Sequence, residues 1–305
     1  MHLAESAVLL MAYGTPQSEN EIEPYLANIR RGRPESREVV EELKERYRKI
    51  GGRSPLLEIT NAQASALQTK LRSDGVRARV YVGMKHWHPY VKDIVPTIIQ
   101  NGHKGLVALV LAPHYSKISI GGYKQALNEA LGQRDQIAVD FVESWHNNLL
   151  LHAAVAEKVN ETLQKFPKST KVEVVFTGHS LPERILEQKD PYQEQLLASS
   201  EAVAGILKLD HWHFAYQSAS MTGEKWLGPD ILEVLDKISG GTHDARVLVV
   251  PIGFVADHLE ILYDIDIEAQ QFAKDHGIDM KRTGSLNTSK KFIDALADIV
   301  KRRLT

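Results

Sequence analysis

The sequence predicts an α/β fold made of two similar open parallel sheets, and three observations carry that prediction. Short apolar or β-branched runs of five to eight residues recur along the chain and stop at glycine, proline or a polar loop. Longer charged segments with helical spacing lie between them. The two halves also echo each other, each sending a buried run into a Gly/Pro-punctuated turn. Strand, loop, helix and strand repeated in this way indicate a parallel sheet with helices on its faces.

The elements follow in order. Ala7–Tyr13 is apolar at consecutive positions, as a strand buried on both faces must be, and it exits into Tyr13-Gly14-Thr15-Pro16. The charged stretch Glu35–Ile50 reads as a helix, and Ala78–Gly83, Leu106–Pro113 and Ala138–Glu143 read as further strands of the first half. Helical spacing returns over Leu149–Lys165 and Glu194–Leu207. Val172–Gly178, His213–Gln217 and Arg246–Pro251 are the strands of the second half. Val172–Thr177 leads into Gly178-His179-Ser180-Leu181-Pro182, the counterpart of the first exit, and Leu111-Ala112-Pro113-His114 is matched by Val250-Pro251-Ile252-Gly253. The last helical segment, Lys290–Arg303, has enough chain before it to return to the first half. The expected domains are therefore 1–144 plus 286–305 and 145–285, two Rossmann-like units, each with a four-stranded parallel sheet flanked by helices, facing each other across a cleft. In such sheets ligands bind outside the carboxyl ends of the strands.

Composition narrows the chemistry. With 305 residues and 43% hydrophobic content, the chain can bury the cores of one large or two medium domains. Its formal charge of −2 creates no global field for nucleic acid or an anionic membrane, so an acidic ligand must meet a local cluster. The absence of cysteine excludes disulfides, iron–sulfur clusters, thiolate zinc sites and a cysteine nucleophile, which leaves nitrogen and oxygen ligands for any metal. The six-residue apolar run Ala7–Ala12, with Glu5 ahead of it, is a poor secretory signal. No apolar stretch approaches the roughly 18 residues that span a bilayer, and a soluble cytoplasmic protein is expected.

Three constellations could carry function. Glu260, Asp264 and Glu268 stand at i, i+4 and i+8, which on an α-helix makes an acidic ridge about 12 Å long. Like charges so placed repel by tenths of a kcal/mol, a cost that a cation would relieve, although a solvated helix face is the plainer alternative. His179 follows a buried run at a strand end; imidazole suits Fe2+ and takes a proton near neutral pH, while a core or capping histidine is the competing reading. Between Arg30 and Arg53, nine Arg/Lys face five Glu, a local net of +4. Guanidinium groups grip carboxylates two-pronged, yet Glu41 with Lys44 and Glu45 with Lys49 read as ordinary intrahelical pairs.

At these residues the chain resembles the ferrochelatase family, most closely the short bacterial coproporphyrin III type. The segments that carry the resemblance are Leu10-Met11-Ala12-Tyr13-Gly14-Thr15-Pro16, Ile50-Gly51-Gly52-Arg53-Ser54-Pro55-Leu56, Leu111-Ala112-Pro113-His114-Tyr115-Ser116, Gly178-His179-Ser180-Leu181-Pro182, Trp226-Leu227-Gly228-Pro229-Asp230 and Pro251–Glu260. The chain departs from the family at Tyr216-Gln217-Ser218-Ala219-Ser220, where a Trp-Gln-Ser-Glu-Gly run is usual, and over Met280–Asn287, where the family has a proline-rich loop.

The resemblance implies a chelatase-type fold and insertion of Fe2+ into a porphyrin in heme synthesis. It makes His179 and Glu260 the metal-insertion pair and Tyr13 a near-axial residue on the opposite face. Arg30, Arg46, Tyr47, Ser54 and Tyr123 would line the porphyrin pocket, and Asp264 and Glu268 would continue from Glu260 as a carboxylate path to a peripheral divalent metal. Fe2+ is then substrate, with no tightly bound cofactor and no iron–sulfur cluster. Tyr13 within Met-Ala-Tyr-Gly-Thr-Pro favours coproporphyrin III over protoporphyrin IX. The rivals are a cobalt or nickel chelatase for sirohydrochlorin and, from a different class, a non-catalytic tetrapyrrole carrier. The expected partners are porphyrin and Fe2+ for a monomer that hands its product transiently to the next heme-pathway enzyme, without nucleic acid or a transmembrane segment.

Overall fold

In the computed structural model, which describes residues 5–132, 137–168, 170–220, 223–240 and 245–304, the apolar runs become two four-stranded parallel sheets. Contacts group the chain into two compact units. One comprises Met1–Trp145, Ala256–Leu259 and Asn287–Thr305; the other comprises His146–Val255 and Glu260–Leu286.

The sheet of the first unit contains β1 (Ser6–Ala12), β2 (Ala78–Met84), β3 (Gly105–Val110) and β4 (Ala138–Val142), in the order β2-β1-β3-β4. Every side chain from Ala7 to Met11 is fully buried, because helices cover both faces. Ala7, Leu9 and Met11 pack with Val95 and Ile98 of helix Val91–Gln100 and with Ile120 and Leu127 of helix Ile120–Leu131. Helices Leu56–Ser73 and Lys290–Leu304 pack on each other, the first against β1 and β2 and the second against β3. Each large apolar side chain so buried contributes about 1.5–3 kcal/mol. Strand order reverses between β1 and β3, the kind of switch point beyond whose carboxyl ends open α/β sheets bind ligands.

Two turns of the first unit are under tight backbone control. Gly14, at φ +88°, leaves no room for a side chain: a Cβ there would lie 2.7 Å from the Trp87 backbone nitrogen. Helix Ile22–Ile29 ends in a Schellman motif, in which Arg31 N–H donates to the Asn28 carbonyl (3.1 Å) and Gly32 N–H to the Ala27 carbonyl (2.7 Å). Arg31 occupies the left-handed position at φ 57°, where glycine is the norm. A side chain there costs about 1 kcal/mol.

The sheet of the second unit contains β5 (Glu173–His179), β6 (His213–Gln217), β7 (Arg246–Val250) and β8 (Asp279–Arg282), ordered β6-β5-β7-β8. Val175, Ala215, Val247 and Val249 form its core with Val234 and Leu235 of helix Ile231–Ser239 and with Ile265, Ala269 and Ala273. That helix starts with a capping box: Asp230 Oδ1 accepts from Leu232 N–H at 2.8 Å, and Glu233 Oε2 accepts from Asp230 N–H at 3.1 Å. The order reverses between β5 and β7, so His179 ends a strand at the switch point.

One element differs from the sequence expectation. β8, Asp-Met-Lys-Arg, was not among the apolar runs, because an edge strand pairing only with β7 buries little beyond Met280. In helix Arg37–Lys49, Glu41 meets Lys44 (2.8 Å), as expected, and Glu45 meets Arg48 (3.4 Å). Among the described residues, no helix is long and apolar enough to cross a membrane.

Candidate active site

β5 delivers His179 to the carboxyl end of the second sheet, and the backbone around it is clamped. Ser180 N–H donates to the Gln217 carbonyl (2.8 Å), Ser180 Oγ–H to the Leu227 carbonyl (2.7 Å), and the Tyr192 hydroxyl to the His179 carbonyl (2.9 Å). The imidazole Nδ1–H donates to the Ser180 carbonyl, which directs Nε2 away from the strand. Nε2 lies 3.4 Å from Glu260 Oε1, so residues 81 positions apart form one pair, with the side chains 28% and 35% exposed.

Burial alone would lower the His179 pKa. The Glu260 charge and hydrogen bond, the Ser180 carbonyl and the Asp264 charge outweigh it and raise the group from 6.5 to about 9. The pair thus favours a proton on the imidazole. It is held from behind by Gln217, whose side-chain oxygen accepts from Thr177 Oγ1–H (2.8 Å) and whose Nε2 donates to the Glu260 carbonyl (3.3 Å).

The backbones that carry the pair approach each other closely. A Cβ on Gly253 would lie 2.9 Å from Gly178 Cα, and one on Gly178 would lie 2.7 Å from Leu196 Cδ1. Only glycine lets the turn after β7 lie against the end of β5 at this distance.

From Glu260 the chain enters a helix that is π-helical over Ile261–Ala269, not α-helical as the ridge arithmetic assumed. Bonding from i to i+5 widens the turn beyond 3.6 residues, which brings side chains four apart closer to alignment. Glu260, Asp264 and Glu268 run along this segment from half-buried through buried to exposed. The Ser218 hydroxyl donates to Asp264, and Ser218 itself stands at φ 63° just past β6. Asp266 is held by a two-pronged pair with Arg282 of β8, at 2.6 and 2.7 Å. Among the described residues, no group of three or more His, Asp or Glu gathers closely enough to hold a metal ion.

The other residues named from sequence belong to the first unit. Tyr13 is 42% exposed and packs at 4.5 Å, centroid to centroid, on the His86 ring. Arg30 is paired with Glu35, and Arg46 with Glu42 at 2.9 Å. Tyr47, Ser54 and Tyr123 are buried, the Ser54 hydroxyl oxygen accepting from Leu56 N–H at 3.4 Å. Sequence reading missed Ser180, Tyr192, Gln217 and Ser218. Gln217 and Ser218 stand at a strand end, which was the available signal; nothing local marks Tyr192.

A family model described as Ferrochelatase matches residues 5–304. The chain belongs to the ferrochelatase family. Ferrochelatases are metal-chelating lyases whose substrates are a porphyrin and Fe2+. The ferrochelatase of Herpetosiphon aurantiacus is 43% identical over 301 residues, covering 97% of this chain and 98% of that protein. The coproporphyrin III ferrochelatase of Halalkalibacterium halodurans is 38% identical over 299 residues, covering 97% and 96%. Among solved structures, the sirohydrochlorin chelatase SirB from Bacillus subtilis subspecies spizizenii in complex with cobalt superposes with a TM-score of 0.60. At 11% identity over 98% of this chain and 94% of that one, it shares the chelatase fold alone.

Proposed function

We propose that the chain inserts Fe2+ into coproporphyrin III, with His179 and Glu260 acting on the metal and the pyrrole protons. The observation that carries this reading is the imidazole–carboxylate pair at the strand switch point, with Nε2 3.4 Å from Oε1. Tyr13, in the Met-Ala-Tyr-Gly-Thr-Pro sequence after β1, favours coproporphyrin, as do relatives that bear that name.

Insertion exchanges two pyrrole protons for one Fe2+. Two N–H bonds break, their electron pairs remain on nitrogen and bind the metal, and both protons leave. With the imidazole favouring its own proton, the Glu260 carboxylate is the member of the pair that would accept a pyrrole proton and pass it on. His179 Nε2 is the imidazole nitrogen not committed to the backbone, and Glu260 supplies carboxylate oxygen that can take either a proton or a hard cation. Asp264 and Glu268 extend that oxygen chemistry along the π-helical turns as the delivery path. In the first unit, Tyr13, Arg30, Arg46, Tyr47, Ser54 and Tyr123 receive the macrocycle and its carboxylates. No resident cofactor is needed, because iron is substrate.

The test is anaerobic titration of coproporphyrin III and protoporphyrin IX with Fe2+, followed by the porphyrin absorption bands. Faster metallation of coproporphyrin III supports the proposal, preference for protoporphyrin IX moves the chain to the other branch, and binding without metallation makes it a carrier. His179→Ala and Glu260→Gln should each lower metallation by at least about 10²-fold while leaving porphyrin binding largely intact. Normal turnover in either variant defeats the assignment.

A further inference from the structure

Tyr13 is 42% exposed where β1 ends, so its ring keeps a fixed place only if the loop beneath it does. The backbone of β1 stays joined to that of β2 for a short way: Lys85 N–H donates to the Ala12 carbonyl (3.0 Å) and His86 N–H to the Tyr13 carbonyl (2.7 Å). Gly14 then turns at φ +88°, and the two loops touch where it meets the Trp87 backbone. The Tyr13 ring rests on His86 of the other loop, 4.5 Å between centroids, a contact that survives only while the loops keep their relative place.

One carboxylate oxygen ties the loops together. Glu21 Oε2 accepts from the Trp87 indole N–H (2.8 Å), in the loop after β2, and from the Gln17 backbone N–H (2.8 Å), in the loop after β1. Gln17 in turn donates its side-chain amide to the Thr15 carbonyl at 3.0 Å, so the tie reaches within two residues of Tyr13. Trp87 is buried, with the Tyr25 ring of helix Ile22–Ile29 edge-on to it at 5.9 Å, and Glu21 is the residue from which that helix starts. Hydrogen bonds to a carboxylate are roughly twice as strong as neutral ones. Because both fall on one oxygen, neither loop can shift without straining the anchor of the other.

We infer that Glu21 and Trp87 are positioning residues for metallation: by joining the loops after β1 and β2, they hold the Tyr13 ring on the His86 ring in the orientation that meets the porphyrin. The inference rests on the porphyrin reading above, in which Tyr13 receives the macrocycle. Neither residue lies in a segment that carries the family resemblance.

Glu21→Ala, Glu21→Gln, Trp87→Phe and Tyr13→Ala are compared by anaerobic metallation of coproporphyrin III at a temperature where each is folded. Glu21→Ala releases both loops and should slow metallation roughly 10- to 100-fold, the penalty of a misplacement approaching 1 Å. Trp87→Phe keeps a buried ring but loses the N–H, and should give a smaller loss. Glu21→Gln should retain most of the rate, because an amide oxygen has two lone pairs and can accept both bonds. In a Tyr13→Ala background, Glu21→Ala should slow the reaction no further, whereas a purely structural role for Glu21 lowers the rate in either background. By NMR of the ligand-free protein, the ring-current shift that Tyr13 imposes on the His86 protons should shrink in Glu21→Ala and persist in Glu21→Gln. Full turnover in Glu21→Ala, Trp87→Phe or Tyr13→Ala, or additive rate losses in the double variant, overturn the inference while chelation through His179 and Glu260 stands. So do an unchanged His86 shift in Glu21→Ala and a Glu21→Gln rate as low as that of Glu21→Ala. Wild type that metallates no porphyrin overturns both.

Discussion

The close approach of Gly253 to Gly178 makes Gly253→Ala the sharpest probe of how the metal-insertion pair is held. The new Cβ would lie 2.9 Å from Gly178 Cα and 3.6 Å from both the His179 nitrogen and the Thr177 carbonyl oxygen. Carbon atoms rest about 3.5–4.0 Å apart, so the two backbone segments must part by about 0.6–1 Å. Neither is a flexible side chain that can swing away. The Gly253 N–H bond to the Thr177 carbonyl, now 3.1 Å, stretches past hydrogen-bonding range. Its loss is worth about 1 kcal/mol, and overpacking adds about 1–3 kcal/mol, a total of about 2–4 kcal/mol. Since 1 kcal/mol moves the midpoint of a domain of this size by about 2–4 °C, melting should drop by about 5–15 °C. The same displacement separates His179 from the segment leading to Glu260, and an error near 1 Å costs about 10²-fold in rate. Differential scanning calorimetry and anaerobic metallation at a temperature where the variant is folded measure the two effects. Gly178→Ala provides the contrast: its methyl group meets a leucine side chain, so Leu196→Val should restore its rate, whereas no side-chain trimming should restore Gly253→Ala. Unchanged melting and turnover in Gly253→Ala would refute the idea that this contact sets the pair.

Three further outcomes follow from the same geometry. Burial, and then the Lys85 charge, lower the His86 pKa from 6.5 to about 4; the unfolded chain then binds the extra proton first, so stability is complete above pH 6.5 and falls by on the order of 3 kcal/mol as pH drops from 6.5 to 4. Urea midpoints of wild type and His86→Phe across that window check this, and parallel curves would sink it. Ser218→Ala takes a hydroxyl donor from buried Asp264, and should cost about 1–2 kcal/mol and raise the KM for Fe2+ several-fold with porphyrin affinity unchanged; an unaltered KM would remove Asp264 from the iron path. Arg282→Lys cannot keep the two-pronged grip on Asp266, and should lower stability by about 1 kcal/mol and quicken amide exchange along the π-helical turns, whereas unchanged exchange would mean that these turns hold without β8.

The sequence by itself determined the two parallel sheets. β1 is apolar at consecutive positions because helices bury both its faces, and that pattern is written in adjacent residues. β8 escaped notice because a polar edge strand leaves no such trace. Motif order also determined the family, which singled out His179 and Glu260, although spacing alone left the acidic ridge open to a solvated helix face. Only the tertiary structure decided that those two side chains meet at 3.4 Å, that Gln217 and Ser180 brace them, and that the ridge lies on a π-helix. Hydrophobic burial acts residue by residue and so leaves a local record, whereas pairing between distant side chains depends on which strands become neighbours and how closely their backbones approach, and no short stretch of sequence contains that information.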